Sequence, residues 1–441
     1  MNKSLSVFWA LFSLALSALP APGAQSDEQA ALAFAQALAA GKSSLAVNSF
    51  DATMRGALPA AQLTQVWQSL NLAHGGLKKF GVVRSETLGP YKVCYVPAVF
   101  SDLTVDLKVV FNGQHRIGGF YVVPHSEGYK PAVRAAGLVE KATKIVSGPY
   151  NLDALWTMPA GPGPFPAVIL VHGSGPQDKD ESLGPNKPFK DLADGLASRG
   201  IAVLRYEKRT RQYGNVLDVK NLTVQDETID DALAAVKTAR ACDAVDAGKI
   251  FVLGHSLGGT LVPRIAVQAQ ANEPLAGCVV MAGAVRPMED LLIEQTEYIL
   301  SLQPSSSKGA QMLAELKEQV KAVKSSDLSV STPAEKLPLG VPAKYWLDLR
   351  GYNPPAEALK SPLPMLILQG GRDYQVTSVD FKLWQEGLKG QSRYTFKNYP
   401  NLSHLFMPGQ GMATPEEYMS KAGHVAPAVL DDISRWIKTG Q

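Results

Sequence analysis

From about residue 151 onward, short unbroken apolar runs alternate with segments whose apolar positions recur at helical spacing. An unbroken apolar run suits a strand covered on both faces, and strands that alternate with helices build a parallel sheet flanked by helices. The pattern predicts strands over 167–171, 201–205, 250–254, 277–281, 364–368 and 393–398, with helices over 189–198, 224–239, 257–270, 379–388 and 427–438. Residues 151–158 read as an antiparallel edge strand entering that sheet. One interval, about 287–352, breaks the alternation. It is helical, with Leu291, Leu292, Ile299, Leu302, Met312, Leu313 and Leu316 at helix spacing. Because pockets open at the C-terminal ends of parallel strands, this insertion is expected to form a cap over one.

Ahead of the linker the pattern differs. Helices over 28–40 and 63–70 precede strands over 93–100, 103–111 and 117–123, with turns at Ser101-Asp102 and Asn112-Gly113. The expected architecture is therefore α/β: a mostly parallel sheet with a helical cap insertion over 140–441, preceded by a small α+β domain over 26–124. At the start of the chain, Lys3 precedes an apolar stretch from Leu5 to Leu19 that ends in small residues and prolines through Ala24. Residues 1–24 read as a secretory signal peptide cleaved after Ala21 or Ala24, so the mature protein is expected to be secreted or periplasmic. No later segment is long and apolar enough to span a membrane.

Composition narrows the class. The 441 residues are 46% hydrophobic and 19% charged, with a formal net charge of +3. That balance, with no Lys/Arg run interleaved with aromatics, argues against a nucleic-acid partner and for a small-molecule substrate. Cys94, Cys242 and Cys278 lack C-x-x-C spacing or a local histidine, so neither a metal site nor a disulfide framework is indicated. Cys242 and Cys278 flank one strand and could approach, but buried free thiols are expected for all three.

The candidate chemistry centres on Gly254-His255-Ser256-Leu257-Gly258, directly after the apolar run 250–253. G-x-S-x-G between a buried strand and a helix is the nucleophile elbow of an α/β-hydrolase. A serine hydroxyl needs a base, and the base needs an acid to fix its tautomer. In that fold the order is serine, acid, histidine, and only His404 and His424 lie downstream. His404 follows the last strand, where the fold presents its base; His424, beside the terminal helix, is the alternative. Asp373 follows the strand 364–368 and a glycine turn and is the preferred acid, with Asp348 and Asp380 as competitors. The oxyanion donors are assigned to the N–H groups of Leu257 and of Ser174, the latter in the glycine-rich loop His172-Gly173-Ser174-Gly175-Pro176 after the third strand. His172 itself is expected to brace that loop. His74, His115 and His125 stand singly and carry no expected catalytic role.

Three segments carry a resemblance: His172 through Glu181, Tyr206-Glu207-Lys208-Arg209, and the Gly254–Gly259 elbow. Together they resemble the secreted bacterial α/β-hydrolases of the esterase D type, which bear an extra N-terminal domain of unknown function. Phe50-Asp51 through Trp67 and Ile117-Gly118-Gly119-Phe120 are similar to that domain. The resemblance implies the triad Ser256, Asp373 and His404 with Ser174 and Leu257 as oxyanion donors, and hydrolysis of a small-molecule carboxylic ester through an acyl-enzyme, without metal or organic cofactor. Lys179 stands where relatives often have arginine, and Glu207 where aspartate is frequent. The same triad would also serve a peptidase or thioesterase, and the scaffold could instead be a non-catalytic binding protein.

Overall fold

A computed structural model describes residues 26–88, 91–132, 136–303 and 306–440. The expected signal peptide lies outside the described residues. The chain divides into two compact units at the Val123–Pro124 junction.

The first unit packs two longer helices, Asp27–Ala39 and Ala60–His74, against a five-stranded sheet. Its strands are β1 (Lys79–Phe80), β2 (Arg84–Leu88), β3 (Tyr91–Val99), β4 (Thr104–Phe111) and β5 (Ile117–Pro124). β3 pairs antiparallel with β1, β2 and β4. Phe34, Leu38, Leu63, Trp67, Leu107 and Ile117 share one apolar core. The short strands β1 and β2 are absent from the sequence reading, since two to five residues with little alternation give no usable period.

The second unit holds an eight-stranded sheet: β6 (Val139–Ser147), β7 (Tyr150–Met158), β8 (Phe165–Val171), β9 (Ala202–Tyr206), β10 (Val245–His255), β11 (Gly277–Met281), β12 (Met365–Gly370) and β13 (Tyr394–Tyr399). Their order across the sheet is β13-β12-β11-β10-β8-β9-β7-β6. All neighbours from β13 to β9 run parallel, and β7 and β6 close the sheet antiparallel. β7 is therefore not the edge strand that the sequence suggested. β6 is, and no strand is predicted there, because its residues are mostly exposed and lack the apolar run that marks its neighbours.

Side-chain alternation along β8 shows why the buried strands read as continuous apolar runs. Ala167, Ile169 and Val171 enter the core on one face, under the helices Asp230–Arg240, Leu257–Ala269 and Ser378–Gly387. Val168 and Leu170 enter the core on the other, under Pro188–Ala197 and Pro427–Thr439. All five are fully buried, each contributing about 1–3 kcal/mol of hydrophobic stabilisation by size. Between β11 and β12 the chain leaves the layers in a helical insertion whose main helices are Met288–Ser301, Ser307–Lys324, Ala343–Leu349 and Pro354–Ala358. The three cysteines are free thiols; Cys94 and Cys278 are buried, whereas Cys242, expected to be buried, is only half so.

Candidate active site

The elbow is built by backbone crowding. β10 ends at His255, and Ser256 sits at φ 53°, ψ −120° before the helix Leu257–Ala269 begins. A non-glycine residue in that region is strained and persists only where its surroundings hold it. Here the Ser256 N–H donates to the Met281 carbonyl at 2.9 Å. A Cβ at Gly254 would lie 2.3 Å from the Gly258 carbonyl oxygen, and one at Gly258 would lie 2.3 Å from that of Val171. Both positions demand glycine because backbone occupies the space.

Asp373 and His404 meet at the ends of neighbouring strands. Asp373 follows β12 and His404 follows β13, and the His404 Nδ1–H donates to Asp373 Oδ2 at 2.6 Å. Both residues are buried. The second Asp373 oxygen accepts the N–H groups of Gln375 (2.8 Å) and Val376 (3.0 Å), which fixes the carboxylate plane. With Nδ1 donating, Nε2 is left with its lone pair, the form that can take a proton from a hydroxyl. The other candidates lie elsewhere. Asp348 binds Arg264 at 2.9 Å, Asp380 binds Arg286 at 2.7 Å and the Val285 N–H at 2.9 Å, and His424 binds Asp191 at 3.0 Å.

The glycine-rich loop after β8 reaches Ser256. A Cβ built on Gly173 would stand 3.5 Å from Ser256 Oγ. Ser174, Ser256 and Leu257 line one cavity of about 100 Å³, walled by Leu291, Leu292 and Tyr352 from the insertion and by Val376. Residues of the helical insertion thus wall the cavity that Ser256 lines. Larger hollows occur elsewhere, one of about 560 Å³ along residues 146–150 and 217–234, but none of the triad lines it. Among the described residues, neither the Ser174 N–H nor the Leu257 N–H has another hydrogen-bond acceptor. Leu257 opens its helix, where backbone donors are left over by geometry and the dipole favours negative charge. The described residues contain no cluster of three or more His, Cys, Asp or Glu groups able to hold a metal ion.

Among the described residues, matching profiles cover both units. Residues 168–418 match the alpha/beta hydrolase family, and residues 31–120 match a family of unknown function, DUF3887. The chain belongs to the alpha/beta hydrolase family. This hydrolase is 35% identical over 414 residues to Esterase EstD of Thermotoga maritima, spanning 93% of this chain and 95% of that one. It is 28% identical over 165 residues to the 2,6-dihydropseudooxynicotine hydrolase of Paenarthrobacter nicotinovorans, spanning 35% and 41% of the two chains. An esterase structure from Pyrococcus furiosus matches at a TM-score of 0.44 and 15% identity, covering 71% of this chain and 98% of that one.

Around Ser256, Asp373 and His404 the hydrolase carries a buried polar layer, of which only His172 had an expected role, as a brace for its loop. The His255 Nδ1–H donates to Glu181 Oε2 at 2.7 Å and its Nε2–H to the His404 carbonyl at 2.9 Å. Both partners only accept, so the ring carries both protons and is an imidazolium paired with the Glu181 carboxylate. Burial, the largest influence, opposes charge on each. Their mutual attraction and hydrogen bonds outweigh it, leaving the His255 pKa raised and the Glu181 pKa lowered. The other Glu181 oxygen accepts the Gly173 N–H at 2.6 Å. His172 is neutral, its pKa pulled down to about 4 chiefly by burial, and its ring packs against Phe189 and Tyr206 at 5.1 and 5.0 Å. Lys179 and Glu207, the two departures from the resembled pattern, pair with each other at 2.9 Å.

Proposed function

We propose that this chain is a serine carboxylic-ester hydrolase that works through an acyl-enzyme. Ser256 Oγ attacks the ester carbonyl as His404 Nε2 takes its proton, and Asp373 holds the imidazole in the accepting tautomer and balances its developing charge. The N–H groups of Ser174 and Leu257 receive the oxyanion. His404 then protonates the leaving alkoxide, and the same base activates water to release the acid. The reading rests above all on the 2.6 Å Asp373–His404 contact, reached from the two strands that this chemistry requires. The near full-length similarity to an esterase favours an ester over an amide or thioester. The substrate is a small molecule, since the cavity that Ser256 lines is narrow, about 100 Å³, with a wall of mixed polar and apolar groups.

The experiment is burst kinetics with a short-chain p-nitrophenyl ester. Wild-type protein should release p-nitrophenol in a burst equal to the enzyme concentration, and Ser256→Ala should abolish burst and turnover while its far-UV circular dichroism stays unchanged. Retained turnover in a purified, folded Ser256→Ala protein would exclude Ser256 as the nucleophile. By composition, residues 1–24 direct export, and N-terminal sequencing of protein from the culture fluid or periplasm should begin at Pro22 or Gln25.

A further inference from the structure

The Gly173–Ser174 peptide is gripped from behind. Its carbonyl, on Gly173, accepts a 2.8 Å hydrogen bond from Lys208 Nζ, and its N–H is the Ser174 donor assigned to the oxyanion. Lys208 is almost fully buried, and its ammonium is balanced by Glu227 at 3.2 Å. Glu227 is held in turn by the Tyr345 hydroxyl at 2.7 Å and the Thr210 hydroxyl at 3.2 Å. One residue earlier, the Gly173 N–H donates to Glu181, the carboxylate paired with His255. Two buried ion pairs therefore hold the two backbone groups of Gly173, one from each side.

Such an arrangement is costly to build for packing alone. Burying an ion pair forfeits hydration that mutual attraction barely restores, so an apolar pair would support the loop at least as well. The chemistry of a trans peptide supplies a reason. The C=O and N–H of one unit point in opposite directions, and in this chain the one cis bond among the described residues is Gly163–Pro164. An ammonium on the Gly173 oxygen thus leaves the Ser174 N–H pointing away from Lys208, and Ser174 lines the cavity that it shares with Ser256. A positive charge on the carbonyl oxygen also draws electron density from the amide and strengthens its N–H as a donor, in a setting that excludes water.

We propose that Lys208 is a positioning residue of the oxyanion hole, which orients and polarises the Gly173–Ser174 peptide so that its N–H binds the transition-state oxyanion more tightly than the substrate carbonyl. The inference rests on the reading of Ser256 as nucleophile and Ser174 as donor. Lys208 touches no substrate itself; its effect passes through one peptide bond. The insertion takes part as well, because Tyr345 lies in its helix Ala343–Leu349 and steadies Glu227.

The test compares wild type, Lys208→Met and the double variant Lys208→Met/Glu227→Gln. The double variant removes both charges and guards against the unfolding that an unpaired buried Glu227 could cause. Full loss of an oxyanion donor lowers kcat about 100- to 1000-fold, so loss of orientation and polarisation should lower it by about 10- to 100-fold. KM should stay within about threefold, and affinity for 1-butaneboronic acid, which forms a tetrahedral oxyanion adduct on the serine, should fall in parallel with kcat. A folded double variant with kcat and boronate affinity within about threefold of wild type overturns the proposal, and so does a loss confined to KM. If wild-type protein is not labelled on Ser256 by a fluorophosphonate, the underlying reading fails first. If it is labelled and the variants match it, only the role of Lys208 fails.

Discussion

At the scale of single residues, the site separates positions that do chemistry from positions that hold them. In the proposed mechanism Asp373 belongs to the first kind, since its carboxylate accepts the His404 Nδ1–H and so holds the tautomer. Asp373→Asn should keep the fold and the cavity but lower kcat by about 10⁴-fold, as the amide would favour the wrong tautomer. Steady-state kinetics beside a thermal melt checks both halves. His255 and Glu181 belong to the second kind, and their pKa directions give a signed expectation. The raised His255 pKa contributes stability below its ordinary value of 6.5, lost as pH rises through the folded value. The lowered Glu181 pKa contributes stability above its ordinary value of 4.5, lost as pH falls through the folded value. The melting-temperature gap between wild type and His255→Gln/Glu181→Gln should therefore be widest between pH 4.5 and 6.5 and narrow on either side. A gap independent of pH would mean that the pair is not charged in the folded protein.

At the scale of elements, the parallel strands position the reacting groups and the core holds the strands. Ile169 in the centre of β8 is fully buried beneath the helix layer. Ile169→Ala should cost about 2–5 kcal/mol, measured as a lower urea midpoint at unchanged slope. What was legible in the sequence follows from the same physics. β8, β10, β11 and β12 are covered on both faces, so they read as apolar runs, and Ser256 and Asp373 follow two of them, whereas His404 follows the less buried β13. β6 was missed because most of its residues face solvent. The helix over 224–239 opens with a π-helical turn, Gln225–Ile229, that no periodicity announces. Lys208, Glu181 and His255 escaped assignment for a further reason: a charged side chain looks like a surface residue until a partner far along the chain is known. Glu181 and His255 are 74 residues apart, and the Lys208 ammonium reaches a carbonyl 35 residues upstream.

At the scale of the whole molecule, two units carry separate cores. The apolar cluster of the first unit shares no residue with those that flank the eight-stranded sheet. Every residue assigned to catalysis or to the support of the oxyanion loop lies after Pro124. Protein comprising residues 124–441 should accordingly fold and react with a fluorophosphonate at a rate within about threefold of the full chain; loss of reaction in a folded fragment would assign the first unit a part in the chemistry. Among the described residues no helix is long and apolar enough to cross a membrane.

The most direct test of the central claim is to treat the full-length protein with a fluorophosphonate, digest it and map the adduct by mass spectrometry. One adduct per chain, on Ser256 in the peptide that contains Gly254–Gly258 and absent from His404→Ala, is the predicted result. No adduct on folded protein, or an adduct on a different residue, would contradict it.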